Sequence, residues 1–287
     1  MFRPRVERAL KEGVRLFTTA YEQSQHVEPK IIPSSLVYNS LKQLHITAAL
    51  NGAKLTAKEI RKASKDNTDR DNTWVWVVNE YLKLYGLQNL SMEITQTLRD
   101  NINRTIQDGI SKGWGIDKIV RELNNASFPK WMATRIVRTE VNKAANTGAM
   151  VAATDSGIKL DKRWNSAQDN RTRRIPRNQF DHLDMNMKQV GMDERFIVPS
   201  TVAVEALLYP GDPEASAGNV INCRCRVSFV PVRDEQGRPV RVEKPSVPGA
   251  QPATQNPFAG LLQRAVNQGI TTFLVQQLIN ADDGKDN

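Results

Sequence analysis

Up to Gly157 the apolar residues of this chain recur every three or four positions; beyond it that rhythm gives way to partial alternation. A stripe with a 3.6-residue period builds helices and cannot cover one face of a strand, so the switch divides the chain into a helical part and a later sheet-bearing part. Val6, Leu10, Val14 and Phe17 place a first helix over residues 3–25, closed off by Pro29 and Pro33. A second opens at Ser34 or Ser35 and carries Leu36, Leu41, Leu44, Ile46 and Leu50 to an expected stop at Asn51-Gly52; LTAKEIRKAS comes next as a separate short helix. Residues 64–73 read as a polar loop, after which Trp74, Val77, Val78, Tyr81 and Leu82 share a face. Further helices run from Ser91 through Leu98, Ile102, Ile106 and Ile110 to Gly113, then over Ile116 to Leu123, and from about Pro129 to Ser156.

After Gly157, KLDKRWNSA and residues 223–232 are enriched in β-branched and aromatic residues, with Asp-Asn, Pro-Gly and Asp-Pro pairs marking turns between them. The fold class is α+β: a mainly helical N-terminal half, then a small mixed α/β-sheet domain, then a tethered C-terminal helix. The expected organisation is a helical region over residues 1–86, an α+β domain over 87–232, a linker over 233–256 and an amphipathic helix and tail over 257–287. Residues 234–257 contain five prolines and no apolar pattern, as an extended tether does. Beyond them Phe258, Leu261, Leu262, Val266, Ile270, Phe273 and Leu274 line one stripe of the terminal helix. A tethered stripe cannot bury itself, so it docks on its own body, a sister subunit or another protein; the length of the tether favours a partner.

With 40 Lys and Arg against 31 Asp and Glu, the net charge is +9, which suits a polyanionic partner. No window approaches the roughly 18 apolar residues of a membrane span, so no membrane role is expected. Two cysteines in 287 residues, with no apolar leader after MFRPRVERALKEG, point to synthesis in a reducing cytosol.

Three constellations bear on chemistry. On the helix RIVRTEVNKAANTGAM, Arg138, Asn142 and Asn146 fall four residues apart and share a face, with small residues beside them; such a helix can lie close to a sheet and hold its loops by polar contacts. Between Lys159 and Arg177 there are seven basic residues against two Asp; Arg163, Arg171, Arg173, Arg174 and Arg177 are the candidate nucleic-acid contacts, the alternative being a solvated or internally paired loop. His182, between Asp181 and Asp184, has the neighbours of an oriented imidazole, although a hydrogen-bonded structural histidine is the commoner outcome.

Cys223 and Cys225, read as part of a strand, face the same way at a separation of roughly 6.6 Å. A disulfide prefers about 5.5 Å with converging side chains, so bridging is disfavoured. Zinc would need four ligands, and the sequence offers Cys223, Cys225 and His182 with Asp184 as a weak fourth. Packing of the thiols against the Arg138 helix is preferred, and no cofactor or metal is expected.

The order of these pieces resembles the Mu F-like family of phage head morphogenesis, or minor capsid, proteins. Arg138-Thr139-Glu140 with Asn142, Asn146 and Gly148, then Trp164, Asp169 with Arg171-Thr172-Arg173, His182, Tyr209-Pro210-Gly211-Asp212-Pro213 and Asn222-Cys223-Arg224-Cys225 succeed one another over residues 90–232. In this resemblance IPRNQFD reads as a local insertion before His182. The resemblance implies a non-enzymatic virion protein of a tailed double-stranded DNA phage, present in few copies. It would associate with the portal, major capsid or scaffolding protein and with packaged DNA, inside the capsid or at the portal vertex, after assembly in the host cytoplasm. The competing reading is a nuclease or nucleotide transferase using His182 with Arg138 and Glu140 or Asp184.

Overall fold

The structure is a computed structural model that describes residues 2–24, 27–64 and 87–242. The loop expected after Ser64, the helix face at Trp74 to Leu82, and the linker and terminal helix beyond residue 242 lie outside the described residues. Contacts divide the chain into residues 1–240 and residues 241–287, and the described helices and strands all belong to the first unit.

Helix α1 (Arg3–Gln23) buries Val6, Leu10, Val14, Phe17 and Tyr21, the stripe its spacing predicts. A short 3-10 turn (Pro29–Ile31) leads into α2 (Ser35–Ser64), which is one continuous helix of 30 residues. The stop expected at Asn51-Gly52 is therefore not used, and LTAKEIRKAS continues the same helix. The reason is tertiary. A Cβ on Gly52 would lie 2.1 Å from the backbone oxygen of Ala145, and one on Gly148 would lie 1.9 Å from that of Ala49. Gly52 is present so that a second helix can touch the backbone of α2; its conformation is helical, and the usual reading of glycine as a terminator fails.

That second helix is α5 (Phe128–Asp155), and its packing on α2 is the most extensive helix contact in the unit. Between them in sequence come α3 (Leu87–Ser111), with Leu98 and Ile102 fully buried, and α4 (Ile116–Asn125), which buries Ile119, Val120 and Leu123. Helix α3 ends as expected at Gly113, whose φ is +66°. The amide of Trp114 donates to the Gly109 carbonyl and that of Gly113 to the Ile110 carbonyl, so the last turn is satisfied from within. Gly157, with φ +69°, likewise lies just past the end of α5.

The remainder is built from short strands: β1 (Leu160–Asn165), β2 (Gln189–Gly191), β3 (Phe196–Val198), β4 (Glu205–Leu207) and β5 (Arg226–Pro231). They form two antiparallel sheets, one ordered β2-β1-β5 and the other β3-β4. Leu160, Lys162 and Trp164 project inward from β1. A single turn, α6 (Ala217–Val220), precedes β5. Residues 233–240, expected to begin the linker, stay on the sheet: Arg233 bridges Pro239, and the Lys159 amide donates to the Val240 carbonyl. Among the described residues no helix is long and apolar enough to cross a membrane.

Candidate functional site

Helix α5 grips the sheet unit through the face predicted for it. Asn146 is buried and uses both donors and its oxygen there: its amide donates to the carbonyls of Pro210 (2.7 Å) and Cys225 (3.1 Å), and its oxygen accepts the Val227 amide (3.1 Å). One side chain thus fixes the 209–213 turn and the entry to β5 at once. Arg138 donates to the Asn222 side chain, and the Asn222 amide donates to the Thr139 hydroxyl. Asn222 sits at φ +59°, a conformation asparagine tolerates better than most residues. Asn142, on the same face, points its amide nitrogen towards the crowded side of Gly211 and has no partner for it among the described residues. Glu140 turns the other way, 3.3 Å from Nε2 of His45 on α2 and 3.2 Å from Lys143. Burial raises its pKa, but His45 and Lys143 outweigh that and hold it below the usual value.

The cysteines lie just ahead of β5, which begins at Arg226, so they are not strand residues as expected. Their side chains nevertheless converge. Both are 2% exposed and belong to the cluster of Trp164, Phe180, Met185, Phe196, Val198 and Leu207, while the Arg138 helix reaches Cys225 through the Asn146 bond to its carbonyl. No disulfide joins them. His182, 1% exposed, places Nδ1 3.6 Å from Cys223 Sγ and 3.7 Å from Cys225 Sγ. Its Nε2 lies 2.5 Å from Asn219 Oδ1, and Asn219 donates its amide to Glu205 at 2.9 Å. Burial pushes Glu205 up, while donors from Ser216 and Asn219 prevail and leave it below its ordinary pKa. A hydrogen bond between the two thiols raises Cys223 and, with help from His182, brings Cys225 down to about 4.

Asp181 and Asp184, expected to orient the imidazole, do not: Asp181 accepts from the amides of Ile175 and Asp184, and Asp184 pairs with Lys188. Nor does His182 meet Glu140, whose partners are His45 and Lys143. Thiol, imidazole and amide in line is an order that cysteine nucleophiles also use, and here every member is buried.

The arginine turn divides into an inner and an outer set. Asp169 accepts from the Arg171 amide, the Thr172 hydroxyl and both terminal nitrogens of Arg224, and these partners, Arg224 foremost, hold it far below the carboxylate range. Arg173 donates to the Ile221 carbonyl, Arg177 to the Thr172 carbonyl at 2.9 Å, and Arg163 to Gln189 at 3.1 Å. Arg171 and Arg174 form the outer set; they are exposed, as is the bonded Arg177, and Arg171 lies 4.0 Å from Asp169. Asn219 and Glu205 went unnoticed in the sequence, and Arg224 entered only as part of the Asn222-Cys223-Arg224-Cys225 motif, without its partner Asp169.

Residues 100–228 match the family described as Phage Mu protein F like protein. Over that stretch the chain is similar to that family. The matched segment runs from within α3 into β5 and holds the contacts that Asn146, His182 and Asp169 make, in agreement with the resemblance seen over residues 90–232. The chain is also similar to "Uncharacterized protein YqbB" of Bacillus subtilis (strain 168), 23% identical over 180 residues, covering 61% of this chain and 56% of that protein. It thus spans little more than half of that relative's length. No solved structure matches the chain.

Proposed function

We propose that this chain is a minor capsid protein of a tailed double-stranded DNA phage, acting in head morphogenesis and attached to the portal or to a neighbouring capsid or scaffolding protein in few copies. The observation that carries this reading is the Mu F-like match over the segment whose polar side chains are consumed in holding its own loops. A segment organised in that way serves as a scaffold: Asn146, Asp169 and His182 hold backbone and neighbours together, and the termini are left to engage other proteins. In this reading Phe258, Leu261, Leu262, Val266, Ile270, Phe273 and Leu274 form the docking stripe. The exposed Arg171 and Arg174 are the DNA contacts, while Arg163, Arg173 and Arg177 serve the fold.

The test is copy number in particles. Deleting residues 257–287 lowers the amount of this chain in purified heads, measured by quantitative mass spectrometry against the major capsid protein. Full incorporation of the truncated chain rejects the docking stripe, and a particle reconstruction without this chain at the portal vertex rejects the portal assignment.

A further inference from the structure

Both cysteine sulfurs of the chain converge on one imidazole nitrogen, and hydrogen bonding accounts for only part of that convergence. Asn219 uses its amide nitrogen on Glu205, so the atom it presents to His182 Nε2 is an oxygen, and Nε2 must carry the proton. In the neutral ring that leaves Nδ1 without a proton and with a single lone pair. One thiol can donate to it; two cannot. Yet both Sγ atoms stand at nearly equal range, 3.6 and 3.7 Å, and the three atoms all lie within 4.8 Å of one another. A tetrahedral zinc ion with Zn–S of about 2.3 Å and Zn–N of about 2.0–2.1 Å holds sulfur and nitrogen about 3.6 Å apart.

We propose that His182 Nδ1, Cys223 Sγ and Cys225 Sγ form a zinc-binding site that fastens the excursion between β1 and β2 to the entry of β5. The surroundings are those of a metal ligand set. The Nε2–H to Asn219 to Glu205 relay fixes the ring orientation and the tautomer that a Nδ1 ligand requires. The Ala167 amide donates to the Cys225 sulfur, as backbone amides do to bound thiolates. Two thiolates and an imidazole are a soft donor set that takes zinc or copper(I) in preference to calcium or magnesium. Three protein ligands leave one tetrahedral position for water. Trp164, whose ring meets His182 edge-on at 5.4 Å between centroids, keeps a buried Nε1–H with no acceptor among the described residues, a donor available in the same cluster. The inference stands independently of the capsid assignment.

The full-length chain, purified without metal-chelate chromatography, is analysed for metals and then stripped with a strong chelator. About one zinc per chain is expected, with the thiols alkylated only after stripping. Cobalt(II) added to the stripped chain produces thiolate-to-cobalt charge-transfer absorption. Cys225→Ser removes that absorption, and Asn219→Ala, which keeps all three ligands, weakens zinc binding about 10–100-fold. A native chain with less than about a tenth of an equivalent of zinc and no cobalt absorption overturns the proposal without reference to any variant. Copper recovered in place of zinc overturns the choice of ion, and unchanged absorption in Cys225→Ser overturns the ligand set.

Discussion

The α2–α5 seam and the sheet unit beyond Gly157 are held together by opposite means. In the seam, two helices approach until the glycines touch the opposing backbone, and the stabilisation comes from close packing of small residues such as Ala48, Ala49, Ala53 and Ala144. In the sheet unit three of the five strands have only three residues each, too few for ladders and apolar faces alone to define a fold. There, polar side chains organise the backbone: Asn146 through Pro210, Cys225 and Val227, Lys162 through the carbonyls of Glu194 (2.6 Å) and Leu208 (3.0 Å), and Asp212 through the amides of Leu208 (2.8 Å) and Glu214 (3.0 Å). The seam tolerates no added volume, whereas the sheet unit tolerates no lost hydrogen bond.

The sharpest way to break the seam is to add atoms. Gly148→Val places its branches against the Ala49 carbonyl, a backbone group that cannot rotate away, and destabilises the chain by about 3 kcal/mol or more. Urea denaturation reads this directly; an unmoved midpoint contradicts the close approach of α2 and α5. In the sheet unit the corresponding blow is a subtraction. Asn146→Ala strands the Val227 amide and the Pro210 and Cys225 carbonyls in a buried place and costs about 2–3 kcal/mol. Hydrogen exchange sharpens the contrast: the Val227 amide loses protection in this variant while the amides of α2 keep theirs. Equal loss in both regions denies that they are held separately.

A third, smaller effect belongs to the sheet unit alone. Lys162 is buried, and removal from water lowers its pKa from 10.5 to about 8, partly offset by Asp193 and other nearby acids. Between those values the folded chain has released a proton that the unfolded chain still holds, so this residue's contribution makes folding more favourable as pH rises from 8 towards 10.5. Tyr209 opposes it near the top of the range, because burial raises its phenol above the ordinary 10.0 and the unfolded chain ionises first. Below pH 10 the lysine effect, on the order of 1–3 kcal/mol, dominates the pair. Denaturation midpoints of the parent chain rise relative to those of Lys162→Met from pH 8 to 9.5, a range chosen around the value of about 8. Parallel curves refute the assignment.

The two regions also differ in how far the sequence reveals them. Helix positions emerged from apolar spacing because each helix buries its own stripe, a local property: α1, α3, α4 and α5 lie within a few residues of where periodicity puts them. The helical error at Gly52 arose because the reason for that glycine lies on another helix more than ninety residues away, at Ala145. In the sheet unit many of the important partners are distant in sequence. Asn146, four residues from Asn142 on a readable face, was legible as a holding residue, though not what it would hold. Asn219 was invisible because its helix has four residues, too few to show any period, and its bond to His182 spans 37 positions. Composition likewise named a basic loop but could not say which guanidiniums would turn inward, since carbonyls such as that of Ile221 leave no trace in the side-chain pattern.

That last division gives the smallest stability effect and the most specific functional one. Arg171 and Arg174 are exposed, and such exposed charges contribute within about 0.5 kcal/mol to folding. Arg171→Glu with Arg174→Glu therefore leaves the denaturation midpoint nearly unmoved, whereas Arg173→Ala, which abandons the Ile221 carbonyl, lowers it. If the outer pair meets phosphates, losing two contacts reduces the slope of log affinity for double-stranded DNA against log salt by about two. Filter binding over a salt series measures that slope. A doubly reversed chain that unfolds early marks the outer arginines as part of the fold. One that folds normally and keeps the parent slope assigns the positive charge of this loop to the protein's own carbonyls and carboxylates, and the contact with DNA, if the head uses one, to another surface.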